Sequence, residues 1–200
     1  YGIKTSILMN SKVWEASGHL KSFVDPMVDC RKCKSRFRAD KVDIKEECPD
    51  CGARDFTESR PFNMMFKTHA GPVEDTAAEV YLRPETAQGM FVNFKNILDT
   101  MRPKLPFGIA QIGRAFRNEI TPGNFIFRTR EFEQMEIEYF VREETWKKYF
   151  DVWHKEMRAW AEDLGISSIS DREVPEEERA HYSGRTVDLD FAYPFGREEL

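Results

Sequence analysis

Residues 109–120 read IAQIGRAFRNEI and residues 127–141 read FRTREFEQMEIEYFV, and how these two runs pair decides the fold. Both alternate with the period of two that a pleated strand imposes on its side chains. Between them Thr121-Pro122-Gly123-Asn124 supplies turn residues, so the runs read as an antiparallel hairpin. On the first strand Gln111, Gly113, Ala115, Arg117 and Glu119 share one face. Ala110, Ile112, Phe116 and Ile120 share the other, with Arg114 intruding. On the second, Arg128, Arg130, Phe132, Gln134, Glu136 and Glu138 share a face, while Met135, Ile137, Tyr139 and Val141 are expected to point to the core.

One side of the hairpin therefore gathers arginines, carboxylates and a phenylalanine. Many such faces are simply solvated. Here the flanks are strongly apolar, which argues for a central sheet, where charges are costly unless paired or bound to a ligand. A guanidinium fork grips two phosphate oxygens and offsets charge at phosphorus. A phenylalanine offers a flat face to a purine, and a carboxylate accepts from an exocyclic amine or an ammonium. The set suits a nucleoside triphosphate meeting a small cationic substrate. Neither GxxxxGK(S/T) nor a GxGxxG following a strand occurs, so a triphosphate would be held by the side chains of a sheet.

Downstream, Trp146, Tyr149, Phe150, Trp153, Met157, Trp160, Ala161 and Leu164 recur at three- and four-residue steps, predicting a helix with a core-packing stripe and a stop at Gly165. Residues 166–180 are acidic and read as an exposed loop, and Thr186 to Tyr193 alternates again as a strand. Upstream, residues 60–141 read as strand-like runs punctuated by Pro and Gly.

Cys30-x-x-Cys33 and Cys48-x-x-Cys51 flank a charged stretch too poor in apolar residues to fold alone. Tetrahedral zinc takes four thiolates from two such turns, and a closed sphere with no open position is structural rather than catalytic. Metal binding would then supply folding free energy on the order of 10 kcal/mol. Four free thiols is the plainer alternative. Arg31, Lys32, Lys34, Arg36 and Arg38 form a basic run that could touch RNA or remain a solvated face. The formal charge of -5 argues against a protein that coats nucleic acid indiscriminately. No run approaches the ~20 apolar residues of a membrane span, and none reads as a signal peptide, so a soluble cytoplasmic protein is expected.

Phe116-Arg117-Asn118-Glu119, the loop, and Arg128-x-x-x-Phe132 resemble motif 2 of class II aminoacyl-tRNA synthetases. The stretch Leu82-Arg83-Pro84-Glu85-Thr86-Ala87-Gln88-Gly89, together with Phe132-Glu133-Gln134-Met135-Glu136, resembles the glycyl-tRNA synthetase family in particular. So do Trp14-Glu15-Ala16-Ser17-Gly18-His19, Asp25-Pro26 and Ala180-His181-Tyr182. The fold this resemblance implies is α+β, an antiparallel β-sheet flanked by helices, with a small zinc-ribbon-like insertion. It divides the chain into 1–29 and 59–200 as parts of a catalytic domain and 30–58 as the four-cysteine zinc-binding insertion.

The resemblance also implies roles. Arg117 is the catalytic residue, stabilising charge at the ATP α-phosphate. Glu119 holds the adenine amino group, Phe132 stacks on the ring and Arg128 lies by the terminal phosphates. Asn118, Phe127, Thr129, Arg130, Glu131, Glu199 and Leu200 complete the implied ATP segments. Glu85 and Glu136 hold the glycine ammonium, with Arg38, Phe132, Glu133, Gln134 and Met135 around it. ATP, Mg²⁺, structural Zn²⁺, glycine, tRNA(Gly) and a homodimer partner follow by the same implication. No protein nucleophile is needed, so Ser17, His19, His69 and His181 read as structural or as neighbours of substrate. Motif 3, an anticodon-binding domain and a long motif 1 helix do not occur in these residues, and the 14-residue gap between cysteine pairs is short. A truncated core is expected. Two other readings stand beside it: a synthetase-like accessory subunit without catalysis, and a zinc-ribbon nucleic-acid module.

Overall fold

The computed structural model describes residues 1–123, 125–180 and 182–200. The turn reading at Asn124, and the match and structural role read at His181, lie outside the described residues. The chain folds as two compact units, Tyr1–Phe140 and Val141–Leu200.

In the first unit β1 (Leu8–Asn10) leads into α1 (Ser11–Ala16), whose first turn is capped by the Asn10 side chain accepting from the Lys12 amide. α2 (His19–Ser22) follows through Gly18, at φ 83, a left-handed turn that costs glycine nothing. β2 (Val24–Asp29) pairs antiparallel with β3 (Arg36–Arg38) on one side and β4 (Arg60–Asn63) on the other. β5 (Lys67–His69) and β6 (Glu79–Leu82) join β1 in the order β1-β6-β5.

α3 (Ala87–Met101) departs from the strand-only reading of residues 60–141. Its Met90, Phe94, Ile97 and Leu98 do fall at helical spacing, but exposed Phe91 and Val92 interrupt the contrast between faces that marks a helix. It ends at Arg102, left-handed at φ 47, ahead of Pro103.

β7 (Phe107–Phe116) and β8 (Glu131–Phe140) form the expected hairpin, with Gln111 opposite Glu136 and Ala115 opposite Phe132. The strands are shorter at the loop end than their alternation predicts. The Arg117 amide still meets the Arg130 carbonyl in register at 2.9 Å, but Asn118 donates its amide to the Met64 carbonyl at 2.7 Å, which takes the chain off the ladder from there. The N-terminal segment lies along the far edge of β7, with the Ile3 amide on the Ala110 carbonyl at 2.9 Å.

The faces are the reverse of the core assignment. Phe107, Ile109, Gln111 and Ala115 are buried, and Met90 and Ile97 of α3 pack on Phe107 and Ile109. Ile112, Met135 and Ile137, assigned inward or to the apolar face, are 68%, 49% and 41% exposed. Helix α3 lies against the side that carries the polar residues, so burial follows the helix rather than the local apolar count. A second cluster, Met9, Trp14 and Met65, anchors α1 beneath Val13, Leu20, Phe23 and Tyr81. Each large apolar side chain buried in these clusters contributes about 1.5–3 kcal/mol.

The second unit holds α4 (Trp146–Asp163), β9 (Ile169–Glu173), β10 (Val187–Tyr193) and β11 (Gly196–Glu199), with the strands ordered β11-β10-β9. The helix stops where expected, with Gly165 at φ 83. Only Ala161 of its stripe is buried; Trp146, Trp160 and Leu164 are exposed, so the stripe is not the packed core expected of it. β9 runs through the stretch read as loop. The cross-strand ion pair of Arg172 with Asp188 at 2.6 Å, and that of Glu173 with Arg185 just ahead of β10 at 3.0 Å, let this charged segment pair as a strand.

Candidate active site

Arg83, fully buried, organises the site from beneath. Its Nε donates to the Arg114 carbonyl at 2.8 Å and its Nη1 to the Thr5 carbonyl at 3.1 Å, so one side chain joins β7, the N-terminal segment and the end of β6. Gly113 makes this possible. A Cβ there would sit 2.5 Å from Arg83 Nη2. Gly89 plays a similar part at the start of α3, where a Cβ would meet Thr5 Oγ1 at 2.1 Å.

The turn from Arg83 to Thr86 presents Glu85, and α3 begins directly after it. Glu85 Oε1 receives Gln88 Nε2 at 2.6 Å and lies 3.3 Å from His19 Nε2. Across the hairpin Glu136 Oε2 receives the Thr86 amide at 2.8 Å and the Thr86 hydroxyl. Glu85 is thus held through Oε1, and Glu136 through Oε2 with the Ala87 amide adding a further donor. Burial pushes Glu85 up, but donation from His19 and Gln88 and the charges of His19 and Arg117 hold it below the usual carboxylate range. Glu136 is pushed up, by burial first and by Glu85 as well, against donation from Thr86. Glu138 is raised by burial and by both neighbours.

Arg117 Nε donates to the Pro84 carbonyl at 3.2 Å, and its guanidinium lies 5.2 Å from the centroid of Phe132 and 5.6 Å from that of Phe23. Glu119 is buried. Its Oε2, 3.6 Å from Arg128 Nη1, makes no hydrogen bond among the described residues, while its carbonyl receives Arg130 Nε and Nη2 at 3.1 and 2.9 Å. Arg38 Nη1 lies 2.8 Å from Asp25 Oδ2, and its Nε and Nη2 donate to Asp40 at 3.1 and 2.8 Å. Burial raises Asp25, against the charges of Arg38, Arg128 and Arg117. Arg38 therefore belongs with the cationic end of the site rather than with Glu136.

The structure brings together Arg117, Phe132, Glu85, Gln134 and Glu136 on one face, with Glu119, Arg128 and Arg38 adjoining. Asn118 lends its backbone, and Thr129 Oγ1 donates to the Glu131 carbonyl at 2.8 Å. Phe127 is half-buried in the loop. Glu131, Glu133 and Met135 lie on the opposite, exposed face, where Glu131 pairs with Arg114. Glu199 and Leu200 belong to the second unit, where they line an apolar cavity of about 530 Å³ with Trp153, Met157, Trp160 and Leu189. Sequence reasoning missed the roles of Arg83, Thr86 and Gln88. All three stand in the quoted stretch that begins at Leu82, but nothing in their spacing says which of them turns inward.

The four cysteine sulfurs lie within 4.8 Å of one another, with Cys30 to Cys51 at 3.6 Å and Cys33 to Cys48 at 3.7 Å. Tetrahedral zinc with bonds near 2.3 Å sets sulfurs about 3.8 Å apart, so the donor set fits that ion. The residues after each second cysteine, Lys34 at φ 66 and Gly52 at φ 69, take the same left-handed turn, so the two arms are equivalent knuckles. Donation from Ser35 brings Cys33 down to about 6. For Cys51 the Ala53 amide pulls down, yet burial and the three neighbouring sulfurs leave it pushed up to about 12. Four crowded sulfurs that resist simultaneous ionisation are what a divalent cation relieves.

A model of the tRNA synthetase class II core domain (G, H, P, S and T) matches residues 66–198. The chain is 53% identical over 228 aligned residues to the glycine–tRNA ligase of Geobacillus thermodenitrificans, covering all of this chain and 49% of that protein. It is 50% identical to those of Alkaliphilus oremlandii and Bacillus anthracis, covering 49% and 50% of them. The chain thus spans about half the length of these relatives. A crystal structure of prolyl-tRNA synthetase from Cryptosporidium parvum shares the fold at TM-score 0.60 and 16% identity, over 95% of this chain and 30% of that one. With motif, geometry and family model in agreement over the hairpin and its surroundings, the chain belongs to the class II tRNA synthetase core-domain family (G, H, P, S and T).

Proposed function

We propose that this chain is the ATP- and amino-acid-binding core of a glycine–tRNA ligase. Glycine attacks the α-phosphorus of ATP through its carboxylate, pyrophosphate leaves, and the adenylate then passes the glycyl group to the terminal ribose of tRNA(Gly). The observation that carries this reading is the pair Glu85 and Glu136, two carboxylates close enough to act on each other, beside Arg117. Two adjacent carboxylates hold one ammonium, and a guanidinium next to them meets the α-phosphate. Position and electrostatics then do most of the work.

Glu119 and Phe132 hold adenine, and Arg128 the terminal phosphates. Asn118, Phe127, Thr129 and Arg130 shape the loop around ATP, and Arg38 orders it through Asp25. Gln134 lines the glycine pocket. Glu131, Glu133 and Met135 support the strand from its far face, and Glu199 and Leu200 stand in the stretch that resembles the start of an ATP- and Mg²⁺-contacting segment. Mg²⁺, when bound, screens the triphosphate. Zinc at Cys30, Cys33, Cys48 and Cys51 is structural and holds 30–58 as an insertion between the catalytic parts 1–29 and 59–200. No helix among the described residues is long and apolar enough to cross a membrane, and a cytoplasmic homodimer is the proposed setting.

ATP–pyrophosphate exchange on the full-length protein, screened over all amino acids, tests the reading. Exchange with glycine alone is expected. Absence of glycine-dependent exchange, together with failure to bind a non-hydrolysable glycyl-adenylate analogue, would favour the accessory-subunit alternative. Sedimentation of the same protein tests the dimer.

A further inference from the structure

Ser17 and His19 take no part in the activation step, yet they form a continuous chain to Glu85. Ser17 Oγ is 2.8 Å from His19 Nδ1, and His19 Nε2 is 3.3 Å from Glu85 Oε1. The imidazole is buried and clamped, with the Trp14 and Phe23 rings each 5.4 Å away between centroids. Gly18, left-handed at φ 83, makes the turn that lets residues 17 and 19 face each other. An ionised carboxylate only accepts, so Nε2 carries a hydrogen toward Glu85, while Nδ1 is held against the Ser17 hydroxyl, which also reaches the Trp14 carbonyl at 3.4 Å. Gln88 donates to the same Oε1 at 2.6 Å. Two donors on Oε1 stop the carboxylate from turning about its last bond.

We propose that His19, held by Ser17, is a positioning residue for amino-acid recognition: it fixes Glu85 through Oε1 so that Oε2 meets the substrate ammonium. This rests on the glycine-activating reading. The role differs from packing alone, because it is directional: the ring also packs on Phe23, but its Nε2 faces Glu85 at the amino-acid end of the site. The polar contacts of the imidazole run to Ser17 and Glu85, whereas Arg117, Phe132 and Glu119 are assigned to ATP. Without His19 the burial that pushes Glu85 up meets less opposition, and the carboxylate is both looser and less fully ionised.

The test is steady-state exchange on full-length wild type, His19→Ala, His19→Gln and Ser17→Ala, with KM for glycine and for ATP measured separately and folding followed by thermal melting. Loss of one hydrogen bond to a charged group corresponds to about a ten-fold or greater rise in glycine KM for His19→Ala. ATP KM should stay within about two-fold, and His19→Gln, which keeps a side-chain donor, should recover most of the loss. Ser17→Ala should raise glycine KM several-fold. Should His19→Ala not fold, the His19→Gln and Ser17→Ala results decide by the same split. Equal rises in both KM values, or no change in variants that melt normally, would overturn the proposal. A wild type without glycine-dependent exchange would instead sink the functional reading, which keeps the two failures distinct.

Discussion

Glu85 and Glu136 share one wall of the site; burial raises both, but donors and neighbouring positive charge bring Glu85 down, whereas Glu85 adds to the burial that raises Glu136. Glu85, lowered, adds stability that is present above the ordinary glutamate value and lost as pH falls through its folded value. Glu136, raised, behaves in the opposite sense: its stabilising contribution is present below the ordinary value and lost as pH rises through the raised one. The ammonium of glycine pairs only with the ionised form, so its binding pulls a proton off Glu136. Glycine KM should therefore rise as pH falls through the raised Glu136 value, with ATP KM changing much less over the same range. Calorimetry in two buffers of different ionisation enthalpy should show proton release on glycine binding; none would contradict the assignment. Glu136→Ala should raise glycine KM by about ten-fold or more while leaving ATP binding nearly intact. Arg117→Ala should slow adenylate formation by about 100-fold, on the order of 3 kcal/mol. Pre-steady-state measurement of adenylate is the check, and a near-normal rate removes Arg117 from that role.

At the scale of elements, close approach sets the tolerances. Gly113→Ala and Gly89→Ala each force a Cβ against Arg83 or Thr5, in a part of the fold that Arg83 ties together. Each is expected to cost about 1–3 kcal/mol, read as a fall in the thermal midpoint. The cysteine segment should respond as a unit. Its two knuckles close one sphere of sulfurs, and Thr121 Oγ1 donates to the Arg36 carbonyl at 2.8 Å, tying it to the β7–β8 loop. Cys48→Ser, or chelation, should release about one equivalent of zinc. Amide protection should then drop over residues 30–58 and around Thr121, with α3 unaffected. Protection unchanged after metal loss would argue against a structural site.

For the whole molecule, charge and exposed apolar surface act together. The calculated isoelectric point is near 5.5, and Ile112, Met135 and Ile137 form an apolar strip on the outer face of the hairpin. Light scattering of this 200-residue chain should peak near pH 5.5, where net repulsion vanishes. Ile112→Lys should lower that peak with little change in stability. The alternation of residues 109–120 and 127–141 was enough to place the hairpin, the Trp146 stripe and Gly165 gave the last helix, and CxxC spacing predicted the sulfur cluster. These features are local: strand period, helix period and turn geometry are written in neighbouring residues. The letters around Arg117 and Glu85 were enough for the family. Which side of the hairpin is buried was decided by α3, a helix whose own pattern is blurred and whose seat on Phe107 and Ile109 depends on Gly89 reaching Thr5. The pairing of His19 with Glu85, and that of Thr86 with Glu136, arise between segments far apart in the chain. Side-chain hydrogen bonds at that separation are set by packing, so only the tertiary structure could assign them.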